Sequence, residues 1–123
     1  MGRIVDIVKP VTVAKTVDNI ANARNLGKKG EEAVRASFNI GEKVRFIMPN
    51  GKLRIPDGFI PHHALSEDKN VKLLRLTSQI KDYATIAKNS NVKMVIYLRG
   101  TTALSPAMDA FRIQNGISLL RVL

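Results

Sequence analysis

Cysteine is absent from the 123 residues, which excludes disulfide scaffolds, thiol nucleophiles and cysteine-ligated metal sites. Tryptophan is absent as well. Aromatic residues reach only 5%, too few for a stacking platform along a single nucleic-acid strand. Long apolar runs are missing: the stretch around Met94 to Leu98 falls far short of a bilayer span, and Asp6, Lys9 and Pro10 interrupt the N-terminal segment before a signal-peptide core can form. A soluble chain with no membrane partner is expected. Acidic residues are scarce, with Asp+Glu 10 against Lys+Arg 20, and the formal net charge of +10 calls for an anionic partner, nucleic acid first. The 45% of apolar residues is enough for one hydrophobic core in a chain of this length.

Val13, Val17, Ile20 and Arg24 recur at helical spacing after Pro10 and predict an amphipathic helix over 11 to 24. A second helix is expected from about Lys28 to Phe38, with Glu31 on the face of Val34 and Phe38, and Glu32 off it. Asn50-Gly51 between two β-rich runs predicts a hairpin of strands 43 to 48 and 52 to 56, ended by Pro56. Ala64 to Lys72 reads as a third strand, in which Leu65, Glu67, Lys69 and Val71 face one way and Ser66, Asp68 and Asn70 the other. Thr77 is an N-cap for a helix with Ile80, Tyr83, Ala84 and Ala87 toward the core, ending near Asn89-Ser90-Asn91. Val92 to Arg99 is a strand for the middle of a sheet, Ser105-Pro106 starts a last helix that Gly116 stops, and Ile117 to Val122 is a last strand. The expected fold is a single α/β (α+β) unit with a central mixed sheet flanked by helices.

The residues with chemical potential are Asp57 after Pro56, the Glu67-Asp68-Lys69 triplet ten residues on, and Glu31 upstream. Two carboxylates and a lysine on neighbouring strands suit a hard divalent cation with water positions left for a phosphate. Each piece has a plainer reading: Pro56-Asp57-Gly58 is a common turn, and Glu31 complements a helix dipole. Gln79 and Tyr83 are neighbours on their helix and would form a polar pair on its rim. His62 and His63 are adjacent on an extended segment, so at most one could reach a given ion, and both are taken as loop residues. Lys43, Arg45, Lys52 and Arg54 form a basic hairpin that is either a solvated face or a phosphate contact.

In their order, these segments resemble the PD-(D/E)XK nucleases, the restriction-endonuclease-like superfamily. The likeness runs from Gly27 to about Arg99 through Gly27-x-x-Gly30-Glu31-x-x-Val34, Ile55-Pro56-Asp57-Gly58, Glu67-Asp68-Lys69-Asn70-Val71 and Thr77-x-Gln79-x-x-x-Tyr83. It is similar, more narrowly, to the C-terminal nuclease domains of bacterial contact-dependent growth inhibition and other polymorphic toxins. The resemblance implies a core in the order helix, three strands, helix, strand, here with a C-terminal helix and strand, and a nuclease domain over 27–123 preceded by an N-terminal helical segment over 1–26. It also implies a metal-dependent endonuclease leaving a 5′-phosphate and a 3′-hydroxyl. Asp57 and Glu67 would hold Mg²⁺, or Mn²⁺ or Zn²⁺, with the Asp68 carbonyl as an extra ligand and Glu31 acting through water or on a second ion. Lys69 would orient the attacking water, and Gln79, Tyr83, Lys52 and Arg54 would meet the substrate.

The middle position of the E-x-K motif is usually apolar, and Asp68 departs from that. By strand alternation its side chain is expected outside the metal site. The implied substrate is DNA, with tRNA as the alternative. Also implied are an acidic immunity protein as partner, and delivery by a larger secreted or surface protein into a target cell's cytoplasm. The competing expectation from charge alone is a non-catalytic nucleic-acid-binding protein.

Overall fold

The apolar run that ends at Leu98 becomes β7 (Lys93–Leu98), an interior strand of the central sheet, where apolar side chains on both faces are required. The structure is a computed structural model that describes residues 6–8, 31, 32, 34 and 38–123. In the central sheet β4 (Gly58–Ile60), β5 (Ala64–Lys69), β7 and β9 (Ser118–Arg121) lie in the order β4-β5-β7-β9. The β4–β5 pair is antiparallel, and β5–β7 and β7–β9 are parallel. A second sheet pairs β1 (Asp6–Val8), β2 (Arg45–Ile47) and β3 (Leu53–Arg54) antiparallel, and the short β6 (Leu73–Leu74) pairs parallel with β8 (Ala103–Leu104).

Two helices pack on this frame. Helix α1 (Ser78–Asn89) starts where Thr77 Oγ1 accepts the Ile80 N–H at 3.2 Å, and it buries Ile80, Tyr83, Ile86 and Ala87. Helix α2 (Pro106–Gln114) starts where Ser105 Oγ accepts the Met108 N–H at 3.1 Å, with proline in its first turn and Met108 buried. These starts fall where the capping residues put them. A further helical stretch includes Glu31, Glu32 and Val34.

The sheet separates two apolar clusters. Leu65, Ile96 and Leu98 join Ile80, Tyr83 and Ile86 of α1 in the larger one, while Tyr97 packs with Val34 and Ile40, flanked by Phe38 and Val95, in the smaller. Register carries this division onto β5: Glu67 pairs with Ile96 and Lys69 with Leu98, whereas Asp68 pairs with Tyr97. Glu67 and Lys69 therefore share the α1 face, and Asp68 shares the face of Val34 and its helical stretch.

The mixed α+β fold with its central sheet is the expected one. Two parts of the topology differ. The strand beside β5 is β4, not the Asn50 hairpin, which instead turns through Gly51 (φ 89°) into the second sheet. Pro56 and Pro61 bracket β4 and give its sequence the look of a loop, although neither proline lies within the three paired residues. Also, β1 is a strand inside the segment expected to be helical, while the helix expected over 11 to 24 lies outside the described residues.

Candidate active site

Gly41 and Gly58 set the site's geometry. A Cβ on Gly58 would stand 2.1 Å from the Ile40 carbonyl oxygen, and one on Gly41 would stand 2.4 Å from that of Phe59. Gly41 also has φ 86°, a conformation open to glycine at little cost. Without side chains at these two positions the 40–43 segment lies against β4, and the Phe59 N–H reaches the Glu42 carbonyl at 3.0 Å. Lys43 is thereby delivered beside Asp57.

Asp57 immediately precedes β4, at the edge of β5, and touches groups on both faces of that strand. Its N–H donates to Glu67 Oε1 at 3.0 Å, and its Oδ2 accepts the Asp68 N–H at 2.8 Å. Its Oδ1 lies 3.4 Å from Lys43 Nζ, which stands 2.8 Å from Glu31 Oε2. On the α1 face, Lys69 Nζ is 3.4 Å from Glu67 Oε2 and donates to Gln79 Oε1 at 2.8 Å. On the other face, carboxylate oxygens of Glu31, Asp57 and Asp68 all lie within 4.8 Å of one another.

This grouping differs from the expected one in two respects: Asp68 is in it, and Glu67, expected to share the ion with Asp57, is not. Strand alternation does turn Asp68 away from Glu67 and Lys69, but Glu31 approaches from that same far side, so Asp68 joins the acidic group that was expected to exclude it. Glu67 is tied to the same centre through the Asp57 backbone.

Burial divides the carboxyls electrostatically. Glu67 is 5% exposed and its carboxyl is held well above the usual range, first by burial and then by the Asp57 charge, with Lys69 partly opposing. Asp68 is 8% exposed and is pushed up to about 10, by burial, by its hydrogen bond to Asp57, and by the charges of Asp57, Glu67 and Glu31. For Asp57 burial acts upward too, but the Asp68 hydrogen bond and the Lys43 charge outweigh it and hold the group low. Two neighbouring carboxyls are thus pushed in opposite directions, Asp68 up and Asp57 down, as long as no cation lies between them. Burial alone would lower Lys43, yet Asp57 and Glu31 raise it above its ordinary value, so it is an ammonium.

Whether a divalent cation fits can be judged from Asp68. Its Oδ1 is buried and has no hydrogen-bond partner among the described residues, beside two further carboxylates. An oxygen-only donor set with one orphaned oxygen matches a hard cation such as Mg²⁺.

Of the remaining candidates, Tyr83 and Arg54 make contacts that hold the scaffold. Tyr83 is 2% exposed and its hydroxyl donates to the Ile55 carbonyl at 3.1 Å, fixing the segment that leads to Asp57; burial, then Glu67 and Asp57, push its phenol up. Its ring lies in the core as the helical spacing predicts, with the hydroxyl turned inward. Arg54 Nε pairs with Asp82 at 2.8 Å and an Nη reaches Ser78 Oγ at 3.4 Å, so its charge is already engaged. Lys52 is exposed, and Lys43, expected on the same basic face, is buried instead. His62 and His63 are exposed in the turn between β4 and β5. Lys43 was missed because an alternating basic run reads as a solvated strand; the Gly41 and Gly58 pair was the available signal.

A central mixed sheet with α1 on one face, Asp57 just before its edge strand and Glu67 and Lys69 on the neighbouring strand, is an arrangement consistent with a restriction-endonuclease-like fold. The family described as restriction endonuclease fold toxin 7 matches residues 27–108, more than half of the chain, and the protein belongs to it. No curated protein and no solved structure matches the chain. Among the described residues no helix is long and apolar enough to cross a membrane.

Proposed function

We propose that this nuclease toxin is a divalent-metal-dependent endonuclease that hydrolyses phosphodiester bonds, with Asp57 as the hub of its centre. The observation that carries the reading is the buried Oδ1 of Asp68, which has no hydrogen-bond partner among the described residues and lies beside the carboxylates of Asp57 and Glu31. Asp57, Glu31 and Asp68 would hold the ion, with Glu67 as a further ligand from the α1 side. A bound Mg²⁺ or Mn²⁺ lowers the pKa of a water and neutralises phosphate charge. Glu67 orients Lys69 through their 3.4 Å pair, and Gln79 fixes the ammonium from the other side at 2.8 Å. Lys69 then places a positive charge where charge develops on phosphorus and orients the attacking water. Tyr83 acts through Ile55 as a positioning residue.

The substrate we favour is DNA. Phe46, Phe59, Tyr83 and Tyr97 are buried, which removes most of the few aromatics from any stacking surface and suits recognition of a backbone over splayed bases. A structured tRNA remains the alternative on the same argument. We also propose delivery by a larger protein into a target cell, as in contact-dependent growth inhibition, and an acidic immunity protein covering the centre; membership of a toxin family and the +10 charge support both. A binding protein without turnover would share that charge, but it has no use for three clustered carboxylates.

The test is incubation of the purified protein with plasmid and with total tRNA, with Mg²⁺ or Mn²⁺ supplied and then chelated. Cleavage that stops on chelation is expected. Salt-sensitive binding with neither substrate cut would favour the binding protein, and cleavage indifferent to chelation would remove the metal from the reading.

A further inference from the structure

Lys43 has no part in the motifs that define the nuclease, yet it is the most buried charged residue described, at 3% exposed. Lysine is placed so deeply only against a partner. Its Nζ stands 2.8 Å from Glu31 and 3.4 Å from Asp57, two of the three carboxylates proposed to hold the ion. Its position is built in, because the segment carrying it packs on β4 only where Gly41 and Gly58 present no Cβ. As a replacement for a cation it is incomplete: it reaches Glu31 and Asp57, while Asp68 Oδ1 has no hydrogen-bond partner among the described residues.

We propose that Lys43 is an internal counter-ion of the acidic group, which holds Glu31 and Asp57 in place in the ion-free protein and which a divalent cation must displace or share the site with. The inference rests on the metal-dependent reading above. Two cations within reach of the same carboxylates repel, so Lys43 lowers the affinity for the ion while keeping the ion-free fold intact. A unit charge at this range moves a charge equilibrium by roughly one to three powers of ten.

Calorimetric titration of MnCl₂ into the parent, Lys43→Met and Lys43→Arg, without nucleic acid, decides the matter. Lys43→Met should bind Mn²⁺ roughly tenfold or more tightly, and Lys43→Arg should stay close to the parent. In melts, Lys43→Met should be weaker than the parent in chelator and should gain more from Mn²⁺. Equal or weaker Mn²⁺ binding by Lys43→Met overturns the inference while leaving the metal site standing. Absence of Mn²⁺ binding in parent and variants alike overturns the metal-dependent reading, and this inference with it. If Lys43→Met is unfolded in chelator, refolding on Mn²⁺ supports the counter-ion role. Failure of both Lys43→Met and Lys43→Gln to fold at saturating Mn²⁺ makes Lys43 a structural residue and overturns it.

Discussion

Asp57 accepts the backbone N–H of Asp68 at 2.8 Å while giving its own N–H to Glu67 at 3.0 Å, so consecutive residues of one strand grip it by opposite ends. The edge position makes this possible. Antiparallel pairing of β4 and β5 covers only Gly58–Ile60 against Ala64–Ser66, and the chain before Gly58 is released to fold its carboxylate over the unpaired part of β5. Asp57 thereby reaches the acidic group on one face and the Glu67–Lys69 pair on the other.

Replacing Asp57 should therefore affect both chemistry and stability. Asp57→Ala leaves the Asp68 N–H and Lys43 without this acceptor, a cost of about 1–3 kcal/mol for a buried group. Asp57→Asn is the cleaner variant, since it keeps an acceptor of the same shape. Its cleavage rate should drop beyond the roughly 10–100-fold typical of losing an outer-shell partner of a metal. Native circular dichroism together with activity equal to the parent would remove Asp57 from the centre.

Lys69→Met should inactivate the enzyme while Mn²⁺ binding, followed by calorimetry, is largely retained. The lysine contacts Glu67 and Gln79, not the Glu31–Asp57–Asp68 group. Loss of Mn²⁺ binding together with activity would place Lys69 among the groups that shape the ion site. Gln79→Ala tests the same arrangement at one remove, and a smaller loss of rate with unchanged Mn²⁺ affinity is expected.

Local signals made much of this legible. Thr77 and Ser105 announced their helices, because a capping hydroxyl and a following proline act within one turn. Alternation assigned Glu67 and Lys69 to one face of β5, because strand period is fixed by the backbone. What stayed hidden depended on contacts distant in sequence. Glu31's arrival on the Asp68 face is a matter of packing Val34 near Tyr97, and no local period encodes it. Lys43 depended on the approach of Ile40 to Gly58, eighteen positions away in the chain, and β4 was obscured by its flanking prolines.

Salt dependence separates the basic residues. The slope of log K against log salt is about 0.9 per neutralised phosphate on B-DNA. Lys52 is exposed, whereas Arg54 is bound to Asp82 on α1. Lys52→Ala should flatten the slope by about one unit, and Arg54→Ala should change it less while lowering the melting temperature. A larger slope change for Arg54→Ala than for Lys52→Ala would show that the Asp82 pair opens on binding.

Asp68 supplies the pH test. Its carboxyl moves from an ordinary value of 3.8 in the unfolded chain to about 10 in the folded one. Between those values the folded protein keeps a proton that the unfolded chain has lost, so this group makes stability fall as pH rises across the window. At pH 5 little of that cost has accumulated, and at pH 8 most of the window has been crossed. Asp68→Asn removes the titration and supplies an amide that can donate to Asp57. In chelator it should therefore raise Tm relative to the parent, and more at pH 8 than at pH 5. The same variant should bind Mn²⁺ more weakly, because a neutral amide replaces a carboxylate of the acidic group. Thermal melts at the two pH values, with and without Mn²⁺, measure both effects. A Tm gain no larger at pH 8 than at pH 5 would show that Asp68 is already ionised in the folded protein.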